Sequence, residues 1–486
     1  MKNHQYRASS YLNVINLDES GTNLLFNGVN GCMDEVPNEL GEILSPSKES
    51  LINTLSKSNI NFLAKRGHIT KLSPKDELER FKEFVSALHA KRLNNLSSGG
   101  LLLLLSYNCN LACKYCYQQK HRPHKSSATM TAEMVDEILE KHLSSILPKI
   151  KIKQLSFYGG EPFLSSNLPA INRVLEYAKK FDLAIEAITN ATMIDSMMDI
   201  FGSERGKVNK VQISLDGHRD QHDISRVSLS GAPTFDKIID NIKAIIDRGT
   251  KVTIRLNLDK KKIETTPALL EYLKSEKIIG HANVTIYATP LHDNLCEVDA
   301  SDFMDINSLA EKVFKFGIDL EHPVSLRTND MKYMFKLKEG LGLTRTTFCM
   351  QTMQNILVID PYGDLYSCFE EAGYAEMRVG HVGNDGVEFF SLSDTYKKRH
   401  LANMQDCLAC PVALACGGQC GVIARSKTGD MFKPYCGDMR EVILRGIKLA
   451  YKKYKSEIYS ENATTSTSSS ETEKTENTEN DNSLHG

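Results

Sequence analysis

The sequence predicts an α/β protein: a partial barrel of six β/α units, with a small α+β unit before it and a cysteine-rich domain after it. Three observations lead to this prediction. Short apolar segments alternate with helical ones between residues 99 and 290, and ten of the twelve cysteines fall in two groups. The 486 residues are also enough for several domains at roughly 100 to 200 residues each.

Residues 1–98 are predicted to form the small α+β unit. Tyr11 to Leu17 and Asn23 to Phe26 have the pattern of two short strands around a turn, and apolar residues then repeat at helical spacing. With the polar stretch Arg66 to Thr70 before a further helix, this order resembles the small winged-helix units that bind leader peptides. An edge strand of such a unit can pair with an extended peptide. An N-terminal cap without a binding role is the alternative.

Residues 99–290 are predicted to form the partial barrel. Six segments have the apolar composition of buried strands. They are Leu101 to Ser106, Ile152 to Tyr158, Ala184 to Thr189, Lys210 to Leu215, Val252 to Leu258 and Asn283 to Ala288. Stretches such as Ala132 to Leu147 and Phe235 to Asp247 are long enough for crossover helices. Six units are too few to close an eight-stranded barrel, so we expect one side to stay open.

The remaining chain divides into three predicted parts. Residues 291–345 are a helical connector, and residues 346–460 are the cysteine-rich domain with a terminal amphipathic helix from Arg440 to Tyr459. Residues 461–486 are Ser, Thr, Glu and Asn with almost nothing apolar, a composition that favours disorder.

Composition excludes several classes of function. Lys and Arg number 59 against 61 Asp and Glu, so no net basic field points to nucleic acid. The purest apolar run, Leu101 to Leu105, is far shorter than the roughly 20 residues of a membrane span, and no export signal is recognisable. We therefore expect a cytoplasmic protein without membrane or nucleic-acid partners. Its thiols would be reduced and available for metal or redox chemistry.

The first cysteine group follows the first predicted strand with the spacing CxxxCxxC, at Cys109, Cys113 and Cys116. A helix could bury three such thiols on one face, and zinc could bind them, although a structural zinc site takes four ligands. Polar neighbours and a position at the carboxyl end of a parallel strand favour a ligand site. Three thiolates suit a [4Fe-4S] cluster with one iron left open.

This loop resembles the signature of the radical SAM superfamily, with the aromatic Tyr115 before the third cysteine. The resemblance extends to a GGEP segment after the second strand, an ISLDG segment at the end of the fourth, and an arginine on the fifth. It implies S-adenosylmethionine (SAM) bound to the cluster, with contacts from Tyr115, Gly159, Gly160, Glu161, Pro162, Ser214, Asp216 and Arg255. Taken alone, the Gly-Gly pair is equally typical of a turn, and a strand-end Ser or Arg is often structural.

The second cysteine group resembles the SPASM extension of peptide-modifying radical SAM enzymes. The resemblance implies two auxiliary [4Fe-4S] clusters, one held by Cys407, Cys410, Cys416 and Cys436, the other by Cys349, Cys368 and Cys420. The second set is one ligand short, since residues 343–348 contain no cysteine. The fourth iron of this cluster could be open, or it could be bound by Cys296 or by a non-cysteine ligand. Zinc, which also binds CxxC pairs, is the alternative.

Together these resemblances imply a peptide or protein maturase. Cleavage of SAM would yield a 5′-deoxyadenosyl radical that removes hydrogen from the substrate, and a thioether or carbon–carbon crosslink is the expected product. Formylglycine formation, as in anaerobic sulfatase maturases, is the alternative; those relatives place Asp directly after the cysteine matching Cys368, where Phe369 and Glu370 follow here. A zinc-binding scaffold without catalysis is more remote. Flavodoxin or ferredoxin is the expected electron donor, and the sequence identifies no catalytic base.

Overall fold

The structure, a computed structural model, describes residues 5–17, 21–121, 128–291, 343–437 and 439–448, with residues 309, 312, 324–326, 451 and 455. The chain forms two compact units. One comprises Met1–Lys71, Asp330–Leu343 and Arg440–Gly486, and the other comprises Leu72–Asn329 and Thr344–Met439. The predicted domain bounds stay predictions.

The first unit contains two small antiparallel sheets with helices packed on them. β1 (Arg7–Ala8) pairs with β5 (Ile69–Thr70), and a three-stranded sheet has the order β2-β3-β4. Its elements are β2 (Leu12–Asn16), β3 (Thr22–Asn27), β4 (Met33–Pro37), α1 (Asn38–Ile43), a 3-10 helix (Pro46–Thr54) and α2 (Lys57–Lys65). Residues 440–448, which also belong to this unit, are helical. A core that includes Leu25, Ile52 and Leu63 is fully buried, so the unit has its own hydrophobic core.

The second unit is organised by a large parallel sheet. Its six central strands are adjacent in chain order, and each pair of neighbours is parallel. They are β6 (Ser98–Leu104), β7 (Lys151–Tyr158), β8 (Ala184–Thr189), β9 (Lys210–Leu215), β10 (Lys251–Leu258) and β11 (Val284–Pro290). Parallel neighbours need a crossover, so all six strands end at the same edge of the sheet. The prediction of six strands is confirmed.

Helices occupy the crossovers of this sheet. They are α3 (Pro74–Asn94) before β6, then α4 (Ala132–Asp136), α5 (Leu143–Ile146), α6 (Leu168–Phe181), α7 (Arg219–Ser225), α8 (Phe235–Asp247) and α9 (Lys262–Ser275). The bounds of α8 match the prediction. The helix predicted from Ala132 to Leu147 is instead interrupted, because Glu137–His142 forms a π-helix between α4 and α5.

The cysteine-rich region continues the same sheet, which the sequence analysis did not predict. β12 (Val324–Leu326) extends one edge in parallel beside β11; it belongs to the predicted helical connector, whose prediction is wrong at these three residues. At the other edge β13 (Ile356–Ile359) lies parallel to β6, followed by antiparallel β14 (Asp364–Tyr366), β15 (Gly380–Gly383) and β16 (Gly386–Phe389). Short helices follow: α10 (Ser391–Lys398), α11 (Gln405–Leu408), α12 (Ala413–Cys416) and α13 (Gly421–Thr428). The parallel β6–β13 pairing therefore joins the two cysteine regions within one unit.

Several predictions fall on residues outside the described ones. Most of the 291–345 connector, Cys296, and the 461–486 tail belong to this group, as does most of the predicted terminal helix beyond residue 448. Within the described part of the chain, no helix is long and apolar enough to cross a membrane.

Candidate functional site

The first cysteine group lies in a loop at the carboxyl end of β6. No helix spans Cys109 to Cys116, so the alternative of a helix burying three thiols is wrong. Backbone bonds anchor the loop on both sides: the Ala112 amide donates to Val227 at 2.7 Å, and the Cys116 amide donates to Cys113 at 3.1 Å. Cys113 is buried, whereas Cys109 and Cys116 are partly exposed. The fold therefore presents three thiols on one loop at the edge where the parallel strands end.

Amide side chains hold the start of this loop. Asn190, just after β8, donates to the Cys109 sulfur at 3.7 Å and to the Asn110 side chain at 2.9 Å. Asn110 in turn donates to the Thr192 hydroxyl at 2.7 Å. Amide donors directed at a thiolate stabilise its ionised form. Sequence reasoning missed Asn190, because a single Asn after a strand has the composition of an ordinary turn.

The Gly-Gly segment after β7 packs against the cysteine loop. Gly160 donates to the Ser106 carbonyl at 2.9 Å. A Cβ on Gly160 would come within 2.0 Å of the Asn108 oxygen, and one on Gly159, at φ +140°, within 2.4 Å of the Ser106 oxygen. Glycine is thus required here by the close approach of two backbones. Contact between this backbone and SAM remains a prediction.

Glu161 is completely buried and bound by the protein itself. One carboxylate oxygen accepts from the Thr189 hydroxyl at 2.6 Å and from the Phe163 amide at 3.0 Å, and the other accepts from the Asn190 amide at 2.8 Å. Burial raises the pKa of Glu161, and these hydrogen bonds oppose the rise. The side chain therefore fastens the GGEP segment, which ends at Pro162, to the end of β8.

Tyr115 belongs to a buried network that the sequence only partly indicated. Arg226, at the end of α7, donates to the Tyr115 hydroxyl at 2.7 Å. Asn257 donates to the fully buried Asp216 carboxylate at 3.0 Å. Burial alone would raise the pKa of Asp216, but the positive charges of Arg226 and Lys262 lower it. Burial alone would lower the pKa of Arg226, but Tyr115, Cys113 and Asp216 raise it. Arg226 had no recognisable sequence signal.

Ser214 and Arg255 face each other in the register of β9 and β10. The Nε atom of Arg255 is buried without a hydrogen-bond partner among the described residues. Because a buried guanidinium donor requires an acceptor, an anionic or carbonyl group of a ligand would satisfy it. This orphaned donor fits the predicted SAM contact.

Two tyrosines lie between the cysteine regions. The hydroxyl groups of Tyr117 and Tyr158 are hydrogen-bonded, and the Phe369 ring lies 5.2 Å from that of Tyr158. Burial raises the pKa of Tyr117 far above its usual range, and the neighbouring Tyr158, Glu370 and Cys116 add to the rise. The negative charge of Glu370, two residues after Cys368, thus raises the pKa of Tyr117, the residue directly after Cys116.

The structure brings Cys349, Cys368 and Cys420 together. Burial raises the pKa of Cys368 well above its ordinary value, and the negative charges of Glu370, Cys420 and Cys349 contribute. Burial also raises the pKa of Cys420 to about 11, with Glu370 and Cys349 again contributing. Thiols that raise one another's pKa through their charges lie near one another.

The structure brings the other four cysteines together as well. Burial raises the pKa of Cys407, and Cys416, Cys436 and Cys410 add to the rise. The Cys410 amide donates to the Cys407 carbonyl at 3.1 Å, which forms the CxxC turn. The two groupings coincide with the two predicted ligand sets; ligation itself remains a prediction.

The donor chemistry of these sites fits iron–sulfur clusters. All three groups are thiol-rich, and none of the described cysteines is in a disulfide. Among the residues that the structure describes, no three His, Cys, Asp or Glu side chains converge as ligands of a single metal ion. A four-iron cluster binds each thiolate at a different iron and does not require that closeness.

Comparisons with known proteins agree with the predicted class. Residues 103–273 match the family model described as the Radical SAM superfamily. The chain is 24% identical over 479 residues to the radical SAM cyclopropyl synthase TigE of Paramaledivibacter caminithermalis, covering 90% of this chain and 94% of that protein. It is 24% identical over 359 residues to the serine-type anaerobic sulfatase-maturating enzyme of Bacteroides thetaiotaomicron, covering 66% and 82%.

The fold agrees with a solved structure. The His-tagged anSMEcpe with bound AdoMet has a TM-score of 0.56 at 20% identity, covering 73% of this chain and 95% of that one. Residues 103–273 are therefore a radical SAM domain. The prediction of a radical SAM domain is confirmed, and a zinc-binding scaffold without catalysis does not account for these matches.

Proposed function

We propose that this enzyme is a radical SAM maturase that oxidatively modifies a peptide or protein, with a thioether or carbon–carbon crosslink as product. The observation that carries the proposal is the convergence of three cysteine groups within one unit, joined by the β6–β13 pairing. Cys109, Cys113 and Cys116 would hold a [4Fe-4S] cluster, which would supply the electron for the cleavage of SAM. The six-stranded parallel sheet around it would be a partial barrel.

The chain's own residues would orient SAM at this edge. The Gly159 and Gly160 backbone would receive its amino group, and the buried Arg255 donor would pair with its carboxylate. Tyr115 and Asp216, held by Arg226 and Asn257, would fix the shape of the opposite wall. Because this network is buried, it would also keep water from the reacting groups.

The C-terminal region would be a SPASM domain with two auxiliary clusters. Cys407, Cys410, Cys416 and Cys436 would complete one cluster. Cys349, Cys368 and Cys420 would hold the other, whose fourth iron would be open or have a ligand other than these cysteines. Glu370, whose negative charge raises the pKa of both Cys368 and Cys420, is a candidate for this non-cysteine ligand. The other candidate, Cys296, lies outside the described residues.

Both product classes have support among the relatives. The name of TigE, a cyclopropyl synthase, indicates ring formation between carbons, and this similarity spans nearly the whole chain. The sulfatase-maturating relatives support formylglycine formation equally. The solved anSMEcpe structure with AdoMet and the Cp18Cys peptide, at 19% identity and TM-score 0.55, supports the fold in either case.

The first unit would recognise part of the substrate. β2 is an edge strand, and beside it lies a cleft of about 620 Å³. Asn13, Asn16, Glu42 and Arg440 contribute polar groups to its lining. An extended leader peptide could pair with β2, which is at the edge of the three-stranded sheet among the described residues, with its side chains reaching these groups. Flavodoxin or ferredoxin would supply electrons.

Anaerobic incubation with SAM, dithionite and a candidate peptide tests the proposal. The probes are a short peptide encoded beside the gene and a peptide carrying a sulfatase Ser or Cys site. A crosslink gives a product lighter by two hydrogens, with fragment ions missing between the joined residues. Formylglycine gives an aldehyde that reacts with a hydrazide. Modification of the sulfatase peptide alone would replace crosslinking by the sulfatase-maturase function, and modification of neither would contradict the proposal.

A further inference from the structure

Arg399, between α10 and the 3-10 helix Leu401–Asn403, is the bulkiest of the fully buried side chains among the described residues, with 1% of its surface exposed. Burial of a guanidinium is costly unless its hydrogen bonds are satisfied and its charge is balanced. Arginine stays protonated in proteins, so losing the proton cannot relieve that cost. The surroundings of Arg399 must therefore supply negative charge.

The hydrogen bonds of Arg399 fix its position among the cysteines. Its Nε atom donates to the Met431 carbonyl at 2.7 Å, and its Nη2 atom donates to the Gly418 carbonyl at 2.9 Å. Gly418 lies midway between Cys416 and Cys420. A Cβ on Gly421 would come within 2.8 Å of the Arg399 Nε atom. The guanidinium is thus inserted into the turn that separates a cysteine of one set from a cysteine of the other.

Two carbonyl dipoles satisfy donors but do not balance a full charge. No carboxylate forms an ion pair with Arg399 within the described ranges of the chain. Burial lowers the pKa of Arg399, and the groups that oppose this fall are Cys420, Cys407, Tyr396 and Cys349. Cys420 and Cys349 belong to one predicted set, and Cys407 belongs to the other. Thiolates of both sets, once they ligate the proposed clusters, would therefore supply the negative charge around Arg399.

We propose that Arg399 is a positioning residue shared by the two auxiliary sites, and that its guanidinium raises the reduction potential of the cluster at each. The inference rests on the proposed auxiliary clusters. Reduction adds one electron to a cluster, without forming or breaking a bond, and so makes it more negative. A fixed cation in a site of low dielectric stabilises the reduced form more than the oxidised form.

The test is a dithionite titration of the anaerobically reconstituted full chain, followed by EPR, for wild type, Arg399→Gln and Arg399→Lys. In Arg399→Gln we expect the reduction constants of both auxiliary clusters to fall about tenfold, which is about 59 mV for a one-electron couple. Arg399→Lys keeps the charge, so both auxiliary clusters should keep reduction potentials close to those of the wild type. The cluster at the Cys109 loop should be unaffected in both variants.

Arg345→Gln is the matched control. Arg345 donates to the Ala415 carbonyl at 3.1 Å, beside Cys416, but is only half-buried, so solvent screens its charge. Its removal should shift neither auxiliary cluster by a comparable amount. An equal shift in this control would show that any nearby cation has the effect and would overturn a special role for Arg399.

The remaining outcomes also decide the question. If Arg399→Gln loses both auxiliary clusters while Arg399→Lys keeps them, the shared charge is essential and the inference holds. Unchanged potentials in Arg399→Gln, a shift of one cluster only, or loss of the clusters in both variants would overturn it. Wild-type protein without auxiliary clusters would instead contradict the proposed function, and iron analysis recognises that case before any variant is compared.

Discussion

The two cysteine regions are built on different supports. The loop of Cys109, Cys113 and Cys116 extends from a long parallel sheet, and its neighbours come from the ends of other strands, as Asn190 does from β8. The C-terminal cysteines are carried by turns and by helices of four to eight residues, and the guanidinium of Arg399 is buried among them. A sheet can hold its loop without a metal, whereas short helices depend on what they bind.

The largest effect that this comparison predicts is in the sheet-supported loop. A variant with Cys109, Cys113 and Cys116 all changed to Ala should lose one cluster and all SAM cleavage, because the ligands of the SAM-binding cluster are gone. The C-terminal clusters should remain. Iron analysis and chromatography of 5′-deoxyadenosine check both points. Production of 5′-deoxyadenosine at the wild-type rate would show that SAM is not cleaved at this loop.

Cys436→Ala should have an effect confined to the C-terminal region. Cys436 raises the pKa of Cys407, and both belong to the predicted four-cysteine set. Its loss should therefore disturb the cluster of that set and abolish substrate modification, while SAM cleavage continues without product formation. Peptide mass spectrometry beside a 5′-deoxyadenosine assay separates the two. Cys32→Ala, outside both groups, is the control and should retain both reactions. Normal product formation by Cys436→Ala would show that substrate modification does not need the cluster predicted at Cys436.

The buried network behind Tyr115 should contribute strongly to stability. Arg226→Met leaves the Asp216 carboxylate buried without its main cation, which should cost about 3 kcal/mol of unfolding free energy. Arg219→Met, which removes an exposed ion pair with Asp236 near the start of the same helix, should cost much less, because solvent screens that pair. Urea unfolding compares them. Equal losses would mean that the network does not support the loop.

The smallest effect is a pH dependence where α3 packs against the C-terminal region. His89, on α3, is buried and stacks on His400 with ring centroids 4.0 Å apart. Burial lowers the pKa of His89 to about 4, with the positive charges of His400 and Arg92 contributing. The unfolded chain therefore takes up a proton below pH about 6.5 that the folded chain takes up only near 4, so stability falls as pH decreases through this window.

Between pH 7 and pH 5 this group should cost on the order of 2 kcal/mol of unfolding free energy. His89→Gln removes the titrating group and should reduce the loss on acidification by about that amount. Urea midpoints at the two pH values measure it. If wild type and His89→Gln lose stability in parallel, the His89 contribution is contradicted.

The sheet-forming region was predicted well because its signal is local. Runs such as Lys210–Leu215 and Phe235–Asp247 show their periodicity within one segment, and the structure has these bounds. The grouping of cysteines into two sets came from spacing and resemblance; thiols within each set raise one another's pKa, and their role as ligands stays a prediction.

What the sequence did not predict depends on contacts between distant segments. The pairing of β13 with β6, the position of Arg226 behind Tyr115 and the burial of Arg399 between two cysteine sets all join residues far apart in the chain. A single Arg or Asn in a loop has the same composition whether it is exposed or buried. Only the folded chain distinguishes the two.

The central claim is that three cysteine groups each hold an iron–sulfur cluster, and metal analysis of the anaerobically reconstituted wild-type protein tests it most directly. About three [4Fe-4S] clusters correspond to about twelve irons and as many sulfides per chain, with Mössbauer spectra of cubane type. About four irons, or zinc in place of iron in the C-terminal groups, would contradict the account.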